Sequence, residues 1–175
     1  MADSLRGKLL IASPALPDPF DRTVVLIVEH GEEGAMGVVL NRPSEHRVAE
    51  VVPPLAALAE EDDVVYAGGP VGDNAIVALG EFSDRAEAAS LLVGDVGLLD
   101  PGAANPSLRR LRVYAGYAGW APAQLESELE RDGWIVEAAH PDDPFRDDDL
   151  WATALTRKGG SYALVARMPP DPSLN

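Results

Sequence analysis

The sequence predicts an α+β fold, and three observations carry that reading. β-Branched apolar runs mark several short strands, two of them joined by a tight hairpin. Later strands are connected through amphipathic helices. No regular strand–helix alternation runs along the chain, as a doubly wound parallel sheet would require.

The elements follow in order. Lys8–Ser13 reads as a first strand, followed by a Pro/Asp-rich loop from Pro14 to Asp21. Thr23–Glu29 is nearly continuous in apolar character, which suits a strand buried on both faces. Gly31-Glu32-Glu33-Gly34 reads as a hairpin loop, and Met36–Leu40 returns as a second buried strand ending at Asn41-Arg42-Pro43. Val48–Val52 and Leu55–Glu60 are short helical candidates split by Pro53-Pro54. Asp63–Ala67 is a strand stopped by Gly68-Gly69-Pro70, and Ala75–Leu79 is another. Residues 81–110 are weakly patterned, with one helical turn expected at Asp84–Ser90. Leu111–Ala115 is a strand leading into a Gly116-Tyr117-Ala118-Gly119-Trp120 connection. Pro122–Asp132 is the clearest helix, with proline near its first turn and Leu125 and Leu129 four apart. Trp134–Ala138 is a strand. Asp147–Thr156 is a second helix, with acids in its first turn that complement the macrodipole. Tyr162–Met168 fits either a strand or a short helix.

The chain has 175 residues, which implies one domain with a core of its own. It has no cysteine, so disulfides, thiolate metal sites and thiol nucleophiles are excluded. Twenty-nine acids against 14 Lys and Arg leave a net charge of −15. Nucleic-acid affinity depends on cations that neutralise phosphates, so this balance argues against direct nucleic-acid contact and against an anionic membrane surface. The densest basic run is Arg109-Arg110-Leu111-Arg112, with Arg157-Lys158 a weaker one. Both read as solvated flanks of strands or helices. The apolar run Leu9–Ala12 is too short for a signal-peptide core or a membrane span, so the expected location is the cytoplasm.

Candidate chemistry centres on the first hairpin. Arg22 opens the outgoing strand and Arg42 closes the returning one, so both lie at its open end. Glu29 and His30 lie at the other end, roughly 20 Å away. If the hairpin register puts them on one face, Arg22, Asn41 and Arg42 form an anion clamp suited to carboxylate or phosphate. The alternative is that Asp18, Asp21 and Glu45 satisfy the arginines as structural ion pairs. Gly68, Gly69 and Pro70 form a turn that could bring backbone close to a ligand, or serve only as a turn. Tyr117 and Trp120 precede a helix start and could wall a pocket there, or pack in the core. The three histidines lack metal-ligand spacing, and no cofactor signature or nucleophile elbow is present.

Taken together, these segments resemble the YqgE/AlgH family of bacterial proteins. The resemblance runs through Leu9-Leu10-Ile11-Ala12-Ser13-Pro14-Ala15-Leu16, Asp21-Arg22-Thr23-Val24-Val25, Glu29-His30, Gly34-Ala35-Met36-Gly37, Asn41-Arg42-Pro43 and Gly68-Gly69-Pro70. It resumes at Gly116–Trp120, Gln124-Leu125-Glu126, Trp134, Leu150-Trp151 and Asp171–Asn175. It implies a cytoplasmic single domain, mostly antiparallel, whose bifurcated sheet rolls into a pseudo-barrel with flanking helices. One branch of the family carries a transcriptional-regulator label, and the resemblance supplies no catalytic residues, cofactor or substrate. The sequence departs from the family pattern at Leu79-Gly80, where a histidine is usual, at Ala121-Pro122-Ala123-Gln124, and in a shortened stretch around 95–107.

Two functions are then expected as alternatives. The first is a non-enzymatic regulatory or ligand-binding protein that acts on gene expression indirectly, through a protein or a small anionic ligand. The second is a hydrolase acting on a small anionic molecule held by the arginines. The charge yields the first test. Gel-shift titration with the chain's own promoter DNA at about 150 mM salt, where exposed charges interact over only about 8 Å, should show no retarded band. A tight, sequence-selective shift overturns the exclusion.

Overall fold

A computed structural model describes residues 4–14, 22–100 and 106–167. The strands are β1 (Lys8–Ala12), β2 (Val24–Gly31), β3 (Gly34–Val39), β4 (Pro43–Arg47), β5 (Val64–Ala67), β6 (Val71–Phe82), β7 (Ser90–Val93), β8 (Val96–Leu99), β9 (Leu108–Trp120) and β10 (Trp134–Ala138). The helices are α1 (Val48–Val51), α2 (Gln124–Glu130), α3 (Leu150–Lys158) and α4 (Ser161–Val165). The architecture is α+β, with one mostly antiparallel sheet curled into a half-barrel and few helices.

Strand order along the main path is β10-β1-β2-β3-β9-β6-β8-β7, with β4 and β5 branching off it. The branch lies on β9. One edge of β9 pairs with β6 along nearly its whole length. The other edge is divided: Ala118–Trp120 pair with β3, and Val113–Ala115 pair in parallel with β5. A strand has only two hydrogen-bonding edges, so a third neighbour must share one of them, and the sheet forks.

The fork is closed by glycine. Gly68 donates its N–H to the Ala115 carbonyl and accepts from Val39 N–H, each at 2.8 Å, and so ties β9 to β3. Gly69 has φ 151°, and a Cβ there would lie 2.1 Å from the Tyr117 carbonyl carbon. Only a residue without a side chain lets the two backbones cross.

Alternation along β1 and β2 explains why both strands read as unbroken apolar runs. Leu9, Ile11, Val24, Leu26 and Val28 face one core, covered by Leu150, Trp151, Ala154 and Leu155 of α3. Leu10, Ala12, Val25 and Ile27 face a second, with Trp120, Leu125 and Trp134. A third core lies at the other branch, where Val48, Leu55, Val65, Phe82 and Val113 meet. α3 begins at Asp149, whose side chain accepts from Ala152 N–H at 3.1 Å.

The structure corrects the sequence reading at several places and decides between the two alternatives at Tyr162–Val165. A single 3-10 turn at Pro53–Leu55 replaces the helix expected over Leu55–Glu60. Pro43–Arg47 is a strand, polar and mostly exposed, so it carries no apolar alternation. Residues 90–99 form the β7–β8 hairpin, two strands of four residues too short to show a period. Gly116–Trp120 is the second half of β9, not a connection. Tyr162–Val165 is helical, within α4. The tail beyond Arg167 and the loop 15–21, including Asp18 and Asp21, lie outside the described residues.

A buried carboxylate locks α3 to the sheet. Asp143, in a one-turn 3-10 helix at Asp143–Phe145, is 1% exposed. Both of its oxygens accept from Arg157 of α3, at 2.7 and 2.9 Å, and Oδ2 also accepts from His140 N–H at 2.8 Å. Asp143→Ala removes a buried acceptor shared by the partly exposed Arg157 and by His140 N–H, and losing charge-assisted hydrogen bonds of this kind costs about 1.5–3 kcal/mol. Urea unfolding of this variant should show a loss of that order, with Asp143→Asn losing less.

Candidate functional site

The sequence-predicted residues are used largely by the fold. Arg22 has φ 55°, and its guanidinium carbon lies 4.3 Å from the centroid of the Trp151 ring. Asn41 brackets the start of β2: Oδ1 accepts from Val24 N–H at 3.0 Å, and Nδ2 donates to the Arg22 carbonyl at 2.9 Å. The Arg42 carbonyl accepts from Ala67 N–H at 2.8 Å. The backbone that approaches Gly68 and Gly69 is β9 of the same chain. Trp120 and Trp134 stack edge-on at 6.0 Å and donate both indole N–H groups to one oxygen of Glu128, at 2.9 and 2.8 Å. Tyr117 is half-buried against the α3 core, and Pro70 is exposed at the turn into β6. None of these eight residues lines the cavities described below.

At the far end of the first hairpin, His30 is also structural. Leu5 N–H donates to its Nδ1 at 2.9 Å, so the proton sits on Nε2, which faces Glu126 Oε1 at 2.6 Å. That hydrogen bond holds the Glu126 carboxyl below the usual carboxylate range.

The arginine run on β9 is held in a dense set of contacts with the neighbouring strand and loop. Arg110, Arg112 and Tyr114 point to one face by alternation, and all three grip the loop around Asp143. Arg110 stacks on Phe145 at 4.5 Å, binds Glu81 through two hydrogen bonds of 3.2 and 2.8 Å, and reaches Asp142 at 2.8 Å. Arg112 stacks on Tyr66 at 4.2 Å and donates to the Arg146 carbonyl and to Asp147, both at 3.0 Å. Tyr114 Oη donates to the Pro144 carbonyl at 3.2 Å. Arg109 pairs with Asp95 at 2.7 Å and also approaches the Glu81 carboxylate, at 3.5 Å. The basic run is therefore neutralised within the chain, not presented as a cationic patch.

Beside this run lies a groove. Two cavities of about 220 and 230 Å³ share Asp63, Leu111 and Arg112. One wall is Leu108–Val113 of β9 and the other is the segment from Leu58 to Val64. Leu58, Leu108 and Leu111 form an apolar strip on its floor, within a lining that is mostly polar. Glu60, Asp62 and Asp63 line its outer rim, and Asp147, 85% exposed, closes one end. Sequence reasoning missed this site because its second wall is brought to β9 only by the parallel β5–β9 pairing, which joins segments about 50 residues apart.

A curled, forked sheet with a groove along its shared strand defines a class of small α+β proteins rather than a chemistry. The comparisons narrow the class. The AlgH-like family model matches residues 9–163, and the chain belongs to that family. It is 45% identical to UPF0301 protein SCO2948 of Streptomyces coelicolor, across 98% of this chain and 96% of the relative. It is 40% identical to a UPF0301 protein of Thermobifida fusca, with the same coverage. Among solved structures, it is similar to the crystal structure of DIP2367 from Corynebacterium diphtheriae, with a TM-score of 0.86, 28% identity and coverage of 96% and 94%. It is also similar to the solution structure of AlgH from Pseudomonas aeruginosa, with a TM-score of 0.72, 30% identity and coverage of 97% and 96%.

The tyrosines beside the groove give a pH test. Burial pushes Tyr114 far above the ordinary phenol value near 10 and raises Tyr66 as well, where Arg112 opposes the shift and Asp147 and Asp63 add to it. The folded state keeps its phenolic protons longer than the unfolded state. The resulting stability is complete below pH ~10 and is lost as pH rises above that, when unfolded tyrosines ionise first. Absorbance titration should show two of the four tyrosines ionising late, or only on unfolding. Tyr114→Phe should flatten the alkaline decline in stability.

Proposed function

We propose that this protein is a non-enzymatic binding protein that holds a partner in the β9 groove, and that any effect on gene expression passes through that partner rather than through contact with DNA. The observation that carries this reading is the groove itself: an apolar strip beside a sheet strand, in a mostly polar lining of arginines whose charges are already matched and of carboxylates. Such a surface offers shape and hydrogen bonding to a partner. Its negative rim and the net charge of −15 both oppose a phosphate backbone. The pairing of Arg109, Arg110 and Arg112 with Asp95, Glu81, Asp142 and Asp147 supports the same conclusion, because a phosphate would have to displace a carboxylate at each arginine. No helix among the described residues is long and apolar enough to cross a membrane.

The test is genetic and biochemical. Leu58 is half-buried on the groove floor, in a turn outside the three main strands of the site. A chromosomal Leu58→Glu variant that folds, as judged by its melting curve, should reproduce the transcript profile of a deletion strain. A folded variant with a wild-type profile refutes the groove as the working surface. Turnover of phosphoester or carboxylester substrates that disappears in Arg42→Ala would instead support a hydrolase.

A further inference from the structure

Among the described residues, the N-terminal end of β9 has no strand partner along one edge. The Ala115 carbonyl accepts from Gly68 N–H, so at Ala115 the backbone groups point away from β6 and toward β5. Alternation aims those of Val113 and Leu111 the same way. The β5 ladder begins at Val65↔Val113, and the β3 ladder covers only Ala118–Trp120. Among the described residues, Leu108–Arg112 therefore has a strand partner only on its β6 side. This edge forms the wall of the groove, where a further strand would lie. The outer edge of β10 differs, because Lys158 Nζ caps its Val136 carbonyl at 2.8 Å.

Resting on the binding role assigned to this groove, we infer that its occupant is an extended basic peptide segment of another protein, which adds to β9 as a strand at Leu111. Three features select that partner. Main-chain groups on an open edge recognise extended backbone without regard to sequence. Leu58, Leu108 and Leu111 accept apolar side chains that point into the floor. Glu60, Asp62 and Asp63 line the opening beside arginines that are already paired, so alternate side chains that point outward meet carboxylates and are favoured as Lys or Arg. An acidic segment meets the same carboxylates as repulsion. A strand partner also completes the β5 side of β9, which among the described residues is unpaired over Leu108–Arg112.

The experiment uses the full chain and three synthetic octapeptides: alternating Lys-Val, alternating Glu-Val, and the Lys-Val peptide N-methylated at alternate residues. Binding is read by fluorescence anisotropy and by hydrogen exchange at the amides of residues 108–112. The Lys-Val peptide should bind and slow exchange at Leu111, and the Glu-Val peptide should not bind. N-Methylation removes strand pairing at unchanged charge. Loss of two or more hydrogen bonds should weaken binding by about tenfold or more. The exposed pair Glu60→Lys with Asp62→Lys should reverse the preference between the two charged peptides. Equal binding of the N-methylated peptide, with exchange still altered at 108–112, overturns the strand mode and leaves the groove as a site. Exchange changes confined to other residues overturn the groove reading itself. Absence of binding by the Lys-Val peptide overturns the basic-strand proposal.

Discussion

The sharing of one strand edge organises the molecule. β9 is thirteen residues long and meets β6 on one side, so β3 and β5 must divide what remains. From that division come the fork, the parallel β5–β9 pairing in an otherwise antiparallel sheet, and the glycines at 68 and 69 that let the chain cross beneath Tyr117. The groove has the same origin. β5 joins β9 only from Val113 onward, and the gap between the two segments before that point is the cavity lined by Leu58, Asp63 and Leu111.

Electrostatics then shape what the groove can hold. Fourteen cations face 29 carboxylates, and those on β9 are held close by acids from β6, from Asp95 and from the loop around Asp143. The exposed ion pairs contribute little stability individually. Their effect is geometric: with the aromatic stacks on Tyr66 and Phe145, they fix the arginine planes and strap the 142–147 loop across the strand. Asp143 carries the same chain of contacts onward to Arg157 and so to α3. β9, the loop and the helix that covers the first core thus form one connected unit.

The elements legible in the sequence are those whose burial is complete. β1, β2 and β3 are apolar on both faces, and α2 and α3 have four-residue spacing with acids or proline at their starts. β4, β7 and β8 were not legible. The first is polar on both faces, and the other two are too short for a two-residue period to stand out. Gly116–Trp120 shows how composition misleads. Two glycines and two aromatics read as a connection, yet Gly116 is glycine because a Cβ there would meet the Gly69 carbonyl oxygen at 2.5 Å. The candidate arginines divide in a related way. Arg22 and Arg42 stood out because a hairpin is a local structure, whereas the significance of Arg110 and Arg112 depends on Tyr66, Asp142 and Phe145, which lie far off in the chain.

By itself the sequence determined the fold class, the family and the negative field around the molecule, because periodicity, motif order and net charge belong to the chain before it folds. The tertiary structure alone decided which cations are matched, where a strand edge stays open and what lines the space beside it. Those properties arise from pairings between distant segments, and no local pattern of residues encodes the distance at which β5 parts from β9.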